Sequence, residues 1–132
     1  DFWNSDINMA KFAPSIEKLS EKAFLVLAYD DETKRAVRES HLEEHLEFIE
    51  INYKRYLACG PLRLPEEKKI IGSFFMVCAE NEQVLNEFLN QDPYFKNELY
   101  EKIRILNVTP AAGSWMGGVI WKNVEEIRPN AS

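Results

Sequence analysis

The chain holds two histidines, His41 and His45, and imidazole is the side chain whose ordinary pKa suits proton transfer near neutral pH. Arg38 stands three residues before His41, on the same face of a helix if one forms there. Asp92, followed by Pro93 and Tyr94, supplies a carboxylate. Ser73, preceded by Gly72, supplies a hydroxyl, and Gly60-Pro61 and Gly72 mark places where backbone can approach closely. A histidine beside a carboxylate is a general acid–base pair, because the carboxylate fixes the ring tautomer and favours the charged imidazole. A nearby guanidinium can hold a substrate carboxylate.

Each residue also has a structural role to compete with. An Asp before Pro at a helix end is commonly a turn residue. Arg38 can pair on the surface with Glu39, Glu43 or Asp31. Ser73 can simply begin a strand, Tyr94 can pack, and Gly60-Pro61 can serve a turn. His45, at the edge of an apolar stripe, reads as a satisfied core-edge histidine.

His41-Leu42-Glu43-Glu44-His45 also fits the H-x-x-E-H pattern, in which i and i+4 histidines share a zinc ion. A catalytic zinc site needs a third ligand from a second helix and a larger scaffold, so no metal is expected. Phosphate loops, dinucleotide fingerprints and Ser-centred elbows are absent, and no cofactor is expected. Cys59 and Cys78 lie in apolar stretches and read as buried free thiols in a reducing compartment, pointing to the cytoplasm, with a structural disulfide as the alternative. Burial raises a thiol pKa and blocks access, which argues against Cys59 as a nucleophile.

At 132 residues the chain is one domain's worth. Its net charge of −6 disfavours nucleic acid and anionic membrane surfaces as partners. No apolar run approaches the roughly 18 residues a membrane span requires. The chain begins at Asp1, so a removed leader or a trimmed start is expected, with Met9 a candidate native start.

The elements that must position these residues follow from periodicity. A short helix is expected over 14–22. AFLVLAY (23–29) is a doubly apolar strand closed by Asp30-Asp31. Residues 36–53 carry Leu42, Leu46, Ile49 and Tyr53 on one stripe and predict an amphipathic helix. Tyr56–Cys59 is a strand stopped by Gly60-Pro61. A second doubly apolar strand lies within 70–79, and a helix over 81–90 turns Val84, Leu85, Phe88 and Leu89 inward. Pro93 stops it by Asp92. Residues 94–100 allow one or two helical turns, and 102–108 make a polar, edge-like strand. The Gly-rich 110–121 and a tail follow.

The order β-α-β-β-α-β predicts the ferredoxin-like split βαβ fold, α+β with a four-stranded antiparallel sheet in the order 4-1-3-2. The two doubly apolar strands then fall in the centre. Helices cover one face only, so the other needs cover, most simply a second copy packed sheet to sheet, a homodimer, with the apolar tail as the alternative. Tracing the chain brings Arg38 and His41, Gly60-Pro61, Gly72-Ser73 and Asp92-Pro93-Tyr94 to one pole, where His41 and Asp92 are expected to meet.

Those pieces, Arg38-x-x-His41-Leu42, Gly60-Pro61, Gly72-Ser73 and Asp92-Pro93-Tyr94, resemble the YciI-like family over about Ala23–Val108. The resemblance implies the dimeric α/β-barrel variety of the fold. It also implies a His41–Asp92 dyad, with Arg38, Ser73, Tyr94, Gly60, Pro61 and Gly72 binding a small molecule. Related enzymes include a dehydrochlorinase and muconolactone-isomerase-like proteins. The implied function is a cofactor-independent lyase or isomerase acting on a small anionic or phenolic ring compound. The alternative is a non-catalytic ligand-binding or accessory homodimer. The domain is expected at 23–109, between an N-terminal extension (1–22) and a C-terminal one (110–132) in which Trp115 and Trp121 could cap or reshape the pocket.

Overall fold

The computed structural model describes residues 10–129. The first nine residues of the expected N-terminal extension, Met9 included, and the last three of the C-terminal one lie outside the described residues. Two compact units emerge: Glu21–Val108, and a second made of the chain up to Ser20 together with the chain from Thr109. Among the described residues no helix is long and apolar enough to cross a membrane.

The larger unit runs β1 (Ala23–Asp30), α1 (Arg35–Ser40), α2 (Leu42–Ile51), β2 (Tyr56–Leu62), β3 (Gly72–Cys78), α3 (Glu82–Leu89), α4 (Pro93–Lys96) and β4 (Tyr100–Val108). The sheet order is β2-β3-β1-β4 with antiparallel neighbours throughout. This is the expected ferredoxin-like arrangement, with the two apolar strands in the centre. Alternation along β1 and β3 sends Phe24, Val26, Ala28, Phe75 and Val77 towards the helices, where Leu85, Phe88 and Leu89 of α3 close the core. Leu25, Leu27, Phe74 and Met76, cross-strand partners of one another, share the helix-free face.

Helix starts follow their caps. Asn81 accepts from the Val84 N–H at 2.9 Å and opens α3. Asp92 caps α4 in the same way, with Pro93 at the first helical position, where its missing N–H costs nothing.

Four expectations are corrected. Residues 14–22 form no helix. Pro14 O instead accepts from the Val119 N–H at 2.9 Å, and the Ile16 N–H donates to Val119 O at 2.7 Å. That pairing belongs to the smaller unit, beside its hairpin β5 (Ala112–Gly113) and β6 (Gly118–Val119). The helix expected over 36–53 is two helices that break at His41 and end at Ile51, with Tyr53 in a 3-10 turn. Gly60-Pro61 does not stop β2 but lies inside it. An edge strand tolerates proline, whose missing N–H weakens no central ladder. Tyr100, expected at the end of a helical stretch, begins β4.

Candidate functional site

The break at His41 decides which histidine enters the interior. In one straight helix Arg38, His41 and His45 would share a face at i, i+3 and i+7. The chain leaves helical geometry at His41 (φ −110°, ψ 12°), and its ring turns to Glu44, 3.3 Å away, on the exposed side. Arg38 and His45 stay on the inward stripe with Phe48 and Ile49. His41 and Asp92 therefore do not meet, which corrects the expected dyad. His45 Nδ1 lies 2.7 Å from Asp92 Oδ1 instead. His45 is 9% exposed and Asp92 is fully buried. The two histidines of the H-x-x-E-H stretch thus point to different partners.

Asp92 Oδ1 serves twice, since it also accepts the Tyr94 N–H at 2.9 Å. Asp92 Oδ2 is buried without a hydrogen-bond partner among the described residues. The Tyr94 ring stacks on the His45 ring at 3.9 Å and 13°. Its other neighbour is Arg38, whose Cζ sits 5.0 Å from the ring centroid. The Tyr94 hydroxyl donates to Arg38 O at 2.8 Å. The ring is thereby held between the His45 ring and the Arg38 guanidinium.

Arg38 forms a second buried pair. Its Nε donates to Asp30 Oδ2 at 2.7 Å and its Nη2 to Asp30 Oδ1 at 2.8 Å, a two-pronged contact. Nη2 also reaches Ser73 Oγ at 3.2 Å, and the Tyr100 hydroxyl donates to the same oxygen at 2.9 Å. Burial works against the Arg38 charge, but the Asp30 carboxylate outweighs it and raises the guanidinium pKa.

These groups border a cavity of about 360 Å³, a size that suits a small ring compound. Arg38, His45, Ser73 and Tyr94 supply its polar wall. Leu42, Leu46, Ile49, Ile70 and Phe75 supply an apolar one. Leu42 and Leu46 are 46% and 49% exposed. The stripe expected to face the core thus forms, at these two positions, the mouth of the cavity. Gly60 and Pro61 line it from β2, and Cys59 joins them. Gly72 does not line it. A β-carbon at Gly72 would sit on the Ala28 carbonyl oxygen and 3.1 Å from Tyr29 Cα, so its bareness serves the β1–β3 contact.

Asp30 and Tyr100 are site residues that the sequence reading passed over. The signal for Asp30 was available: it continues the inward series Phe24, Val26, Ala28 at the next i+2 position. Tyr100 gave no signal while it was assigned to a helical turn.

Burial raises the phenol pKa values of Tyr56 and Tyr100 above their ordinary 10.0, and the thiol pKa values of Cys59 and Cys78 above their ordinary 9.0. The unfolded chain releases these protons at a lower pH than the folded chain does. Between the two, the folded state binds more protons, so stability falls as pH rises. The urea midpoint is expected to hold up to about pH 9 and decline above it. Tyr100→Phe, which removes one of these groups, should flatten the decline. A midpoint flat to pH 11 would contradict this.

The YCII-related domain profile matches residues 23–109. No curated protein sequence is significantly similar to the chain. Among solved structures, 5-chloro-2-hydroxyhydroquinone dehydrochlorinase (TftG) of Burkholderia phenoliruptrix, in complex with 2,5-dihydroxybenzoquinone, superposes with a TM-score of 0.59. It is 23% identical, with 70% of this chain and 97% of that chain covered. A hypothetical Arabidopsis thaliana protein solved in solution gives a TM-score of 0.43 at 9% identity, over 74% of this chain and 95% of its own.

Proposed function

The chain belongs to the YCII-related domain family, and on that premise we propose that its cavity is the active site of a cofactor-independent lyase or isomerase for small phenolic or quinonoid rings. The observation that carries this is the buried His45–Asp92 pair at the wall of a ring-sized cavity. Asp92 Oδ1, already accepting from the Tyr94 N–H, is an acceptor and so calls for the proton on His45 Nδ1. Nε2 then carries the lone pair that takes a proton from a ring hydroxyl. As the O–H bonding pair becomes a carbonyl, the proton is returned to the halide-bearing ring carbon, which becomes tetrahedral. Loss of a second ring-hydroxyl proton to Nε2 then makes a second carbonyl as the ring electron pair expels halide, so that H⁺ and halide leave overall and the ring carbon keeps a hydrogen. In an isomerisation His45 returns the proton at another ring position. Arg38 and Ser73 hold a ring oxygen, the apolar wall packs the ring, and Tyr94 keeps His45 in place.

The dehydrochlorinase with the same fold supports the substrate class, since the ligand in its structure is a hydroxyquinone. The test is a panel of ring compounds, beginning with 2,5-dihydroxybenzoquinone and chlorinated hydroxyhydroquinones. Binding is followed by absorbance and turnover by halide release or ring spectra. Saturable binding with turnover is expected. Saturable binding without turnover across the panel would replace the enzyme by a ligand-binding protein, and no binding would remove both.

The proposal includes a homodimer that covers Leu25, Leu27, Phe74 and Met76 on the helix-free sheet face. Light scattering is expected to return twice the chain mass at micromolar concentration. The mass of a single chain would contradict it.

A further inference from the structure

Ser73 Oγ stands between two donors, Arg38 Nη2 at 3.2 Å and the Tyr100 hydroxyl at 2.9 Å. Arginine has no acceptor, so the first bond has one direction only. Two hydroxyls can exchange roles in general, but here the exchange is costly. Ser73 is the hydrogen-bond partner of the Tyr100 hydroxyl, whose ring is packed among Phe75, Tyr94 and Phe95. Were Ser73 to donate, the phenolic proton would be left without an acceptor. Tyr100 therefore donates. A hydroxyl oxygen has two lone pairs, and both are then taken. What Ser73 has left is its own proton, beside the cavity it lines.

We infer that Ser73 is a one-way hydrogen-bond donor to the cavity's ligand, held in that polarity by Arg38 and by Tyr100 as a positioning residue, so that the site favours a ring oxygen that is a strong acceptor, a phenolate or a quinone carbonyl, over a neutral phenol hydroxyl, which accepts more weakly. This rests on the ring-binding proposal above and narrows its substrate class. Asp30 fits the same pattern. It occupies Nε and one Nη2 hydrogen of Arg38 and compensates its charge, so net charge alone does not attract any anion. The remaining Arg38 nitrogen, Nη1, also only donates. His45 Nε2 is then the acceptor for a second ring substituent.

The probe is 4-nitrophenol, whose anion absorbs in the visible, so the spectrum of the bound probe reports its ionisation. The wild type is expected to bind the anion at least about tenfold more tightly than the neutral phenol, the order of one hydrogen bond to a charged group. The bound probe then ionises at a pH lower than in water. Ser73→Ala should erase most of this preference and Ser73→Thr, which keeps the hydroxyl, should retain it. Tyr100→Phe should weaken it while leaving Ser73 in place. A preference unchanged in both Ser73→Ala and Tyr100→Phe, each verified as folded, would overturn the inference, and its loss in His45→Gln would then assign the effect to the base. Binding with a preference for the neutral phenol would overturn it too. Failure of the folded wild type to bind 4-nitrophenol or any ring of the panel would instead overturn the ring-binding proposal and this inference with it.

Discussion

Replacing His45 by glutamine is expected to lower turnover of a ring substrate by about 10²–10⁴-fold, the range a positioned acid–base group contributes. His41→Gln is expected to leave turnover close to the wild-type value. The two residues are four apart, His41 at the break between α1 and α2 and His45 within α2, and both have the chemistry for the role. Geometry separates them. His45 is buried, bonded to Asp92 and stacked on Tyr94 at the cavity wall. His41 faces Glu44 on the exposed side. Glutamine keeps a hydrogen-bonding amide at either position, so a large loss at 45 reports proton transfer rather than a hole. Steady-state rates of the two variants, with circular dichroism to verify folding, make the comparison. Equal turnover in wild type and His45→Gln would remove the proposed chemistry.

The second large effect is on stability. Asp92→Ala is expected to cost about 2–6 kcal/mol, because two buried donors, His45 Nδ1–H and the Tyr94 N–H, lose one shared acceptor, at about 1–3 kcal/mol each. The Tyr94 N–H bond is also the side-chain cap of α4, so the cap is already within that figure. Against a total of about 5–15 kcal/mol for a domain, this leaves little margin. Urea denaturation measures it. Asp92→Asn is the milder companion, since its amide oxygen can still accept from the Tyr94 N–H. It should retain more of the stability than Asp92→Ala while losing turnover, because an amide can also present its NH₂ to Nδ1 and favour the wrong ring tautomer. Full stability in Asp92→Ala would show that the buried contacts carry no weight.

Strand content was legible in the sequence because burial on both faces leaves an uninterrupted apolar run, as in 23–29 and 73–79. Placing those two strands in the centre needed no more than the element order. The pole was legible as well. Arg38, Ser73, Asp92 and Tyr94 do converge there, because strand direction alone fixes which ends share a side. The choice of histidine was not legible. It depends on one residue's backbone angles at the α1–α2 break, and periodicity averages over such a break. The apolar stripe of α2 misled for a related reason. Leu42 and Leu46 line an open cavity rather than the core, and hydropathy does not separate a ligand-facing wall from a buried one. Pro61 within β2 misled because proline forbids a central strand but not an edge. At Pro14 and Ile16 the backbone bonds go to Val119, more than a hundred residues away, and no local pattern announces that.

The central claim is that His45, oriented by Asp92, presents Nε2 to the ligand in the cavity. Long-range ¹H–¹⁵N spectra of the two histidine rings test it most directly, recorded at a pH where both are neutral, before and after addition of a phenolic ligand. His45 is expected to carry its proton on Nδ1 in the free protein, and its Nε2 resonance is expected to move on ligand addition while His41 stays in place. A His45 ring protonated on Nε2 and indifferent to the ligand, or a response confined to His41, would contradict the claim.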